Sequence, residues 1–165
     1  MTVETDPDET LSDKARMAEN LCEAGMDDKS DYSVGAVIEC ENGKLLKGIN
    51  IRLSGMEYTV HAEQLALFKL IFEKETPNSI DGYTPAKVVV VTSEHDLALS
   101  CGHCLQVFSG ACNYYGWDAS EIEYTAAARF GQYYDELSSY LDNWVIDRHT
   151  LDTLIGDTYV QTKSQ

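Results

Sequence analysis

Two short strings forty residues apart must meet in space before either can do chemistry: His61-Ala62-Glu63, and Ser100-Cys101-Gly102-His103-Cys104. One imidazole and two thiolates make three protein ligands for Zn2+, a set that leaves a fourth tetrahedral position for water, with an unused carboxylate alongside. Cys101 and Cys104 are i and i+3, so at a helix start both sulfurs lie on one face and can grip a single ion. His61 and Glu63 are i and i+2 and point in well-separated directions on a helix. That leaves Glu63 free to move protons while His61 binds metal. The pattern points to metal-assisted hydrolytic chemistry.

Length and composition narrow the setting. At 165 residues and 44% hydrophobic, the chain suits one domain over 1–165 with a real core. Met1 to Thr10 is acidic and polar where a secretory signal needs a basic start and an apolar run, and no stretch reaches membrane-spanning length, so a cytoplasmic protein without membrane partners is expected. Of five cysteines, Cys22, Cys40 and Cys112 show no regular spacing and read as small buried hydrophobes, not a disulfide framework. The 28 acidic and 12 basic side chains give a formal net charge of -16, spread along the chain. Such a surface repels phosphate backbones and argues against a nucleic-acid polymer as substrate. It is also the charge of a protein adapted to salty cytoplasm, so a halophilic source is expected, with an ordinary acidic surface as the alternative.

Periodicity places the motifs. Leu11, Ala15, Ala18 and Cys22 recur at helical spacing, predicting a helix over 9–24. Tyr32 to Glu39 and Leu45 to Ile51 read as strands joined at Glu41-Asn42-Gly43. Thr59 is the expected cap of a helix from Val60 to about Lys74, with His61 and Glu63 in its first turn. Val88 to Val91 is a β-branched apolar run, the mark of a strand covered on both faces; a second helix starts near Cys101, and Glu121 to Ala126 reads as a strand. Tyr133 to Trp144 and Leu151 to Ile155 are expected as C-terminal helices. The order predicts a three-layer α/β/α sandwich with a mixed sheet, a core over about 9–127, and a helical extension over 128–165.

With these residues in view, the chain resembles the cytidine deaminase family, small zinc enzymes whose site carries H-x-E followed by P-C-x-x-C. Ser30-Asp31-Tyr32-Ser33-Val34-Gly35-Ala36 is similar to the family's Y-S-x-F-x-V-G-A-A-L, and Gly48-Ile49-Asn50-Ile51 to its G-x-N-V. The eleven-residue step from Asn50 to His61 equals the family's, and Cys101-Gly102-His103-Cys104-Leu105-Gln106 resembles P-C-G-x-C-R-Q. The likeness runs from about Ser30 to Gln106. It implies a cytidine deaminase-like fold with a mixed five-stranded sheet, and hydrolysis of cytidine or deoxycytidine to the uracil nucleoside plus ammonia, in pyrimidine salvage. It implies zinc on His61, Cys101 and Cys104, proton transfer by Glu63, and ribose held by Asn50. Tyr32 would line the pyrimidine pocket, and backbone groups at Ala62 and Cys101 would read the pyrimidine edge. A homotetramer or homodimer is implied as well.

The departures bear on substrate. Where the family has N-x-E, this chain has Asn50-Ile51-Arg52, replacing an acceptor for a sugar hydroxyl with a cation suited to phosphate. A nucleotide such as dCMP, or an analogue such as blasticidin S, whose deaminases also lack that Glu, is the alternative substrate; a surface ion pair is the alternative role for Arg52. Ser100 replaces the usual Pro, and Leu105 the usual Arg. The rival from another class is a thioredoxin-like dithiol oxidoreductase built on Cys101-Gly102-His103-Cys104. No Trp precedes Cys101, and Pro7, Pro77 and Pro85 all lie upstream, so the cis-proline such a dithiol faces is missing. A non-catalytic zinc-stabilised domain would normally use four protein ligands, and three are visible.

Overall fold

The apolar run Val88–Val91 lies in the middle of a sheet with helices on both faces. The computed structural model describes residues 2–3, 9–22, 26–27, 32–76, 82–93, 97–129 and 144–159. In chain order the elements are β1 (Thr2–Val3), α1 (Glu9–Cys22), β2 (Met26–Asp27), β3 (Val34–Cys40), β4 (Leu45–Ile49) and β5 (Ile51–Arg52). There follow α2 (Ala62–Glu75), β6 (Pro85–Thr92), α3 (Gly102–Tyr115), β7 (Glu123–Arg129), β8 (Trp144–Thr150) and α4 (Leu151–Tyr159).

The main sheet has the order β1-β8-β7-β6-β3-β4. Only the β6–β7 pair in it is parallel, so the sheet is mixed, with five strands of five residues or more and the two-residue β1 at its edge. Side chains alternate across it as strand geometry requires. Val88 and Val90 face α2 and α3 together with Ala36, Ile38 and Ala126; Val89 and Val91 face α1 together with Val37 and Ala127. The predicted three layers are therefore present. Leu67, Leu70, Phe108 and Ile122 are sealed in the larger core, where burial of each such side chain contributes about 1.5–3 kcal/mol.

Two glycines set how closely the helices approach. A Cβ on Gly35 would stand 1.9 Å from the Ala18 carbonyl oxygen of α1, and one on Gly48 would stand 1.9 Å from the Ala62 carbonyl oxygen of α2. Only glycine allows helix backbone to rest directly on strand backbone at these points. The Gly48 contact seats the first turn of α2, where the functional residues are.

Three sequence expectations need correction. The cap of α2 is His61, not Thr59: the chain is still extended at Val60, which bridges Ile51, so the helix begins at Ala62. Trp144 opens a strand, not the end of a helix, because β8 pairs antiparallel with β7 from Arg129↔Trp144 to Glu123↔Thr150. The described part of the C-terminal region is therefore no helical appendage to the core: Ile146, Leu151 and Leu154 are buried in it. The helix expected at Leu151 to Ile155 falls inside α4. The rest of the segment expected as helix, from Tyr133 to residue 143, lies outside the described residues. Cys40 and Cys112 are buried thiols, as expected. Among the described residues, no helix is long and apolar enough to cross a membrane.

Candidate active site and metal centre

Both helices that carry the motifs begin at the end of the sheet where β6 finishes. His61 is the N-cap of α2 and Cys101 the N-cap of α3, each with extended backbone (φ -79°, ψ 152° and φ -67°, ψ 160°). Gln64 closes the first of these caps, accepting from the His61 N–H at 3.2 Å. Cys101 Sγ closes the second, accepting from the Cys104 N–H at 3.5 Å. Two helix N-termini thus direct their partial positive charge at one spot.

The three donor side chains converge. Cys101 Sγ lies 3.6 Å from Cys104 Sγ and 3.5 Å from His61 Nδ1, and the three residues' donor atoms fall within 4.8 Å of one another. With zinc–sulfur bonds of about 2.3 Å and zinc–nitrogen bonds of about 2.0–2.1 Å, a tetrahedron has sulfur–sulfur edges of about 3.8 Å and sulfur–nitrogen edges of about 3.6 Å. The two edges at Cys101 match that ion to within a few tenths of an ångström. Among the described residues no fourth His, Cys, Asp or Glu joins the set, as an open catalytic site requires and a structural one does not. Burial pushes the Cys104 thiol well up, and the charge of Glu63 and the neighbouring Cys101 push the same way. A proton on that sulfur and a metal ion compete for the same electron pair.

Beside this centre opens a cleft of about 280 Å³, lined by His61, Ala62, Glu63 and Cys101 on one side and by Tyr32, Asn50 and Arg52 on another. Glu63, in the first turn of α2, is only 4% exposed, and its Oε1 accepts from Ser100 Oγ at 2.6 Å. Asn50 is 4% exposed, and its amide clamps β3: Oδ1 accepts from the Val34 N–H at 2.8 Å and Nδ2 donates to the Tyr32 carbonyl at 3.0 Å. One amide N–H of Asn50 is left for the cleft. Arg52 lines the same cleft with no carboxylate partner among the described residues. His103, between the two cysteines, is exposed, and His95 lies outside the described residues.

Every site residue predicted from the sequence, Tyr32, Asn50, Arg52, His61, Ala62, Glu63, Cys101 and Cys104, lines this cleft or belongs to the donor cluster at its edge. Sequence reasoning missed Thr92, Ala98 and Leu99, which also line it. Ala98 and Leu99 were within reach, because a chain entering the cysteine motif must pass the same opening. It also missed Tyr124, whose hydroxyl meets Ser100 from β7, for which only strand register provides a signal.

A family model described as the cytidine and deoxycytidylate deaminase zinc-binding region matches residues 8–112. The chain is 33% identical over 79 residues to cytidine deaminase 3 of Arabidopsis thaliana, covering 47% of this chain and 33% of that protein. It is 33% identical over 85 residues to a cytidine deaminase of Sporosarcina psychrophila, covering 51% of this chain and 57% of that one. The chain thus spans between a third and just over half of the length of these curated relatives. In fold it is similar to a cytidine deaminase from Burkholderia pseudomallei, with a TM-score of 0.62 at 19% identity, over 86% of this chain and 93% of that one. A dithiol oxidoreductase would leave His61 and Glu63 without a task, whereas the matched region carries all four motif residues. The chain belongs to the cytidine and deoxycytidylate deaminase zinc-binding family, and zinc is its cofactor.

Proposed function

We propose that this chain hydrolytically deaminates a cytosine nucleoside, cytidine or 2'-deoxycytidine, to the uracil nucleoside and ammonia, as in pyrimidine salvage. The observation that carries the proposal is a buried carboxylate, Glu63, on the wall of a cleft whose edge holds the converging His61, Cys101 and Cys104 donors. His61 Nδ1, Cys101 Sγ and Cys104 Sγ would hold the zinc. When bound, the ion supplies Lewis acidity that makes a hydroxide nucleophile available near neutral pH.

The chain's own residues do the rest. Glu63 takes the proton released as water adds to C4 of the pyrimidine and delivers it to N3. It then takes the proton of the new C4 hydroxyl and passes it to the C4 amino group, which leaves as ammonia while C4 becomes a carbonyl. The same carboxylate serves each transfer, and its burial keeps bulk water from competing. The backbone N–H of Ala62, in the first turn of α2, has no partner within its own helix and is a donor for the pyrimidine edge. The Cys101 backbone reads the opposite side, Tyr32 bounds the ring, and Asn50 offers its remaining amide N–H to the sugar.

Arg52 favours a second reading, in which the substrate carries a phosphate. It is a cation on the cleft wall with no ion pair among the described residues, where the family's carboxylate would have accepted from a ribose hydroxyl. Purified protein incubated separately with cytidine, deoxycytidine, dCMP, cytosine and blasticidin S, with ammonia measured, tests both. Release from cytidine or deoxycytidine supports the first reading, and release from dCMP alone supports the second. Release from none contradicts both. Arg52→Glu should move preference away from dCMP, and an unchanged ranking removes the phosphate role.

Self-association is part of the proposal. Phe68 and Phe72, one turn apart on α2, are 48% and 73% exposed, apolar area that a second copy would cover. Light scattering on the purified chain gives the subunit number, and a monomer at all concentrations contradicts this part.

A further inference from the structure

Behind Glu63, away from the cleft lining, two hydroxyl groups form a chain that ends on its carboxylate. Ser100 Oγ is 2.6 Å from Glu63 Oε1 and 2.8 Å from the Tyr124 hydroxyl, and the Ser100 N–H donates to that same hydroxyl oxygen at 3.0 Å. Ser100 is 7% exposed, and Tyr124 is fully buried in β7. The donors can be assigned by counting protons. Ser100 has one hydroxyl proton, and a carboxylate can only accept, so that proton goes to Glu63. The Tyr124 O–H therefore donates to Ser100 Oγ, and its oxygen accepts from the Ser100 N–H. Each of the two hydroxyls thus donates once and accepts once. Burial, with the charge of Glu63 second, pushes the Tyr124 phenol up and keeps it a donor.

From this geometry we infer that Ser100 and Tyr124 are positioning residues for Glu63: a two-hydroxyl relay that fixes the carboxylate through Oε1 and leaves Oε2 for proton traffic with the substrate. The position of Ser100 is where the resemblance expects Pro, which has neither a side-chain donor nor an N–H, so the relay belongs to this chain's own sequence. A short hydrogen bond from a neutral donor to a buried carboxylate is among the stronger ones available in a protein interior. A carboxylate on a two-torsion stem needs such a restraint to stay in the reacting geometry, where an error of about 1 Å costs on the order of 10²-fold in rate.

This inference rests on the deaminase reading, and a substrate-free measurement separates the two. In a crystal structure of Ser100→Ala, Glu63 should occupy more than one rotamer; a single unchanged rotamer overturns the relay whatever the substrate proves to be. In turnover of cytidine, Ser100→Ala should lower kcat about 10- to 100-fold with KM within about threefold, and Ser100→Thr, which restores the hydroxyl, should recover most of it. Tyr124→Phe should lower kcat less, and the double variant should be no worse than Ser100→Ala within about twofold, because the two groups act in series. Zinc content and affinity for uridine should stay at parental values throughout. Unchanged kcat in Ser100→Ala, multiplying losses in the double variant, or uridine affinity falling in step with kcat each overturns the inference. Should Ser100→Ala not fold, Tyr124→Phe decides alone: a lower kcat at unchanged KM supports the relay, and parental kcat contradicts it.

Discussion

Gly48→Ala is a one-methyl change that should damage both the stability and the catalysis of this protein. The new Cβ would lie 1.9 Å from the Ala62 carbonyl oxygen, 2.7 Å from the Ala66 nitrogen and 3.0 Å from the Ala62 carbonyl carbon, all helix backbone. None of these atoms can swing aside as a side chain would. Restoring ordinary contact of about 3.2 Å or more requires the start of α2 to lift by about 1 Å or more, at a cost of about 1–3 kcal/mol for overpacking. For a chain of this size that is a fall in Tm of about 2 to 12 °C. The lifted turn carries His61 and Glu63, so turnover should fall by on the order of 10²-fold for a displacement of about 1 Å. Gly110→Ala is the matched control, because Gly110 sits within α3 with nothing within 4 Å of its added Cβ. That change should raise stability by about 0.5–1 kcal/mol and leave turnover alone. Thermal unfolding, zinc content and initial rates on both variants make the comparison. Parental Tm and kcat in Gly48→Ala would refute the argument that this glycine seats the helix.

Glu63→Ala should keep its zinc yet lose turnover by about 10²- to 10⁴-fold for each proton transfer it serves, measured as ammonia release; retained activity rules out the proton-shuttle role. Burial raises the Cys40 and Cys112 thiols to about 11, from 9.0. The unfolded chain therefore releases these protons first as pH rises, and stability should fall between about pH 9 and 11. Replacing both by Ala should flatten that part of a denaturation-versus-pH curve, and an unchanged slope contradicts the assignment. The net charge of -16 supports a salt-adapted surface, so the unfolding midpoint should rise from low to multimolar potassium chloride; equal stability at both ends removes the halophile proposal.

The site was legible because metal chemistry constrains spacing more tightly than fold does. Residues 101 and 104 can share an ion only on one helix face, and the step from Asn50 to His61 carried the rest of the alignment. The central strand was legible too, since four consecutive β-branched residues need cover on both faces, and α1 and α2 provide it. The Thr59 cap was misread because capping preference is a local property, while the start of α2 is set by the Val60 bridge to Ile51. The β8 strand was missed because its residues alternate weakly and its place is decided by pairing with β7, a tertiary contact that local propensity does not report. Tyr124 was invisible for the same reason. Within a predicted strand it reads as an ordinary core aromatic, and only register against β6 brings its hydroxyl to Ser100.

One ion held by one nitrogen and two sulfurs, with a corner left open, underlies all of this chemistry. X-ray absorption at the zinc edge of the purified protein reads that shell directly. It should show two sulfur atoms at about 2.3 Å and nitrogen or oxygen neighbours at about 2.0–2.1 Å. A shell without sulfur, or one closed by four protein ligands, contradicts the account.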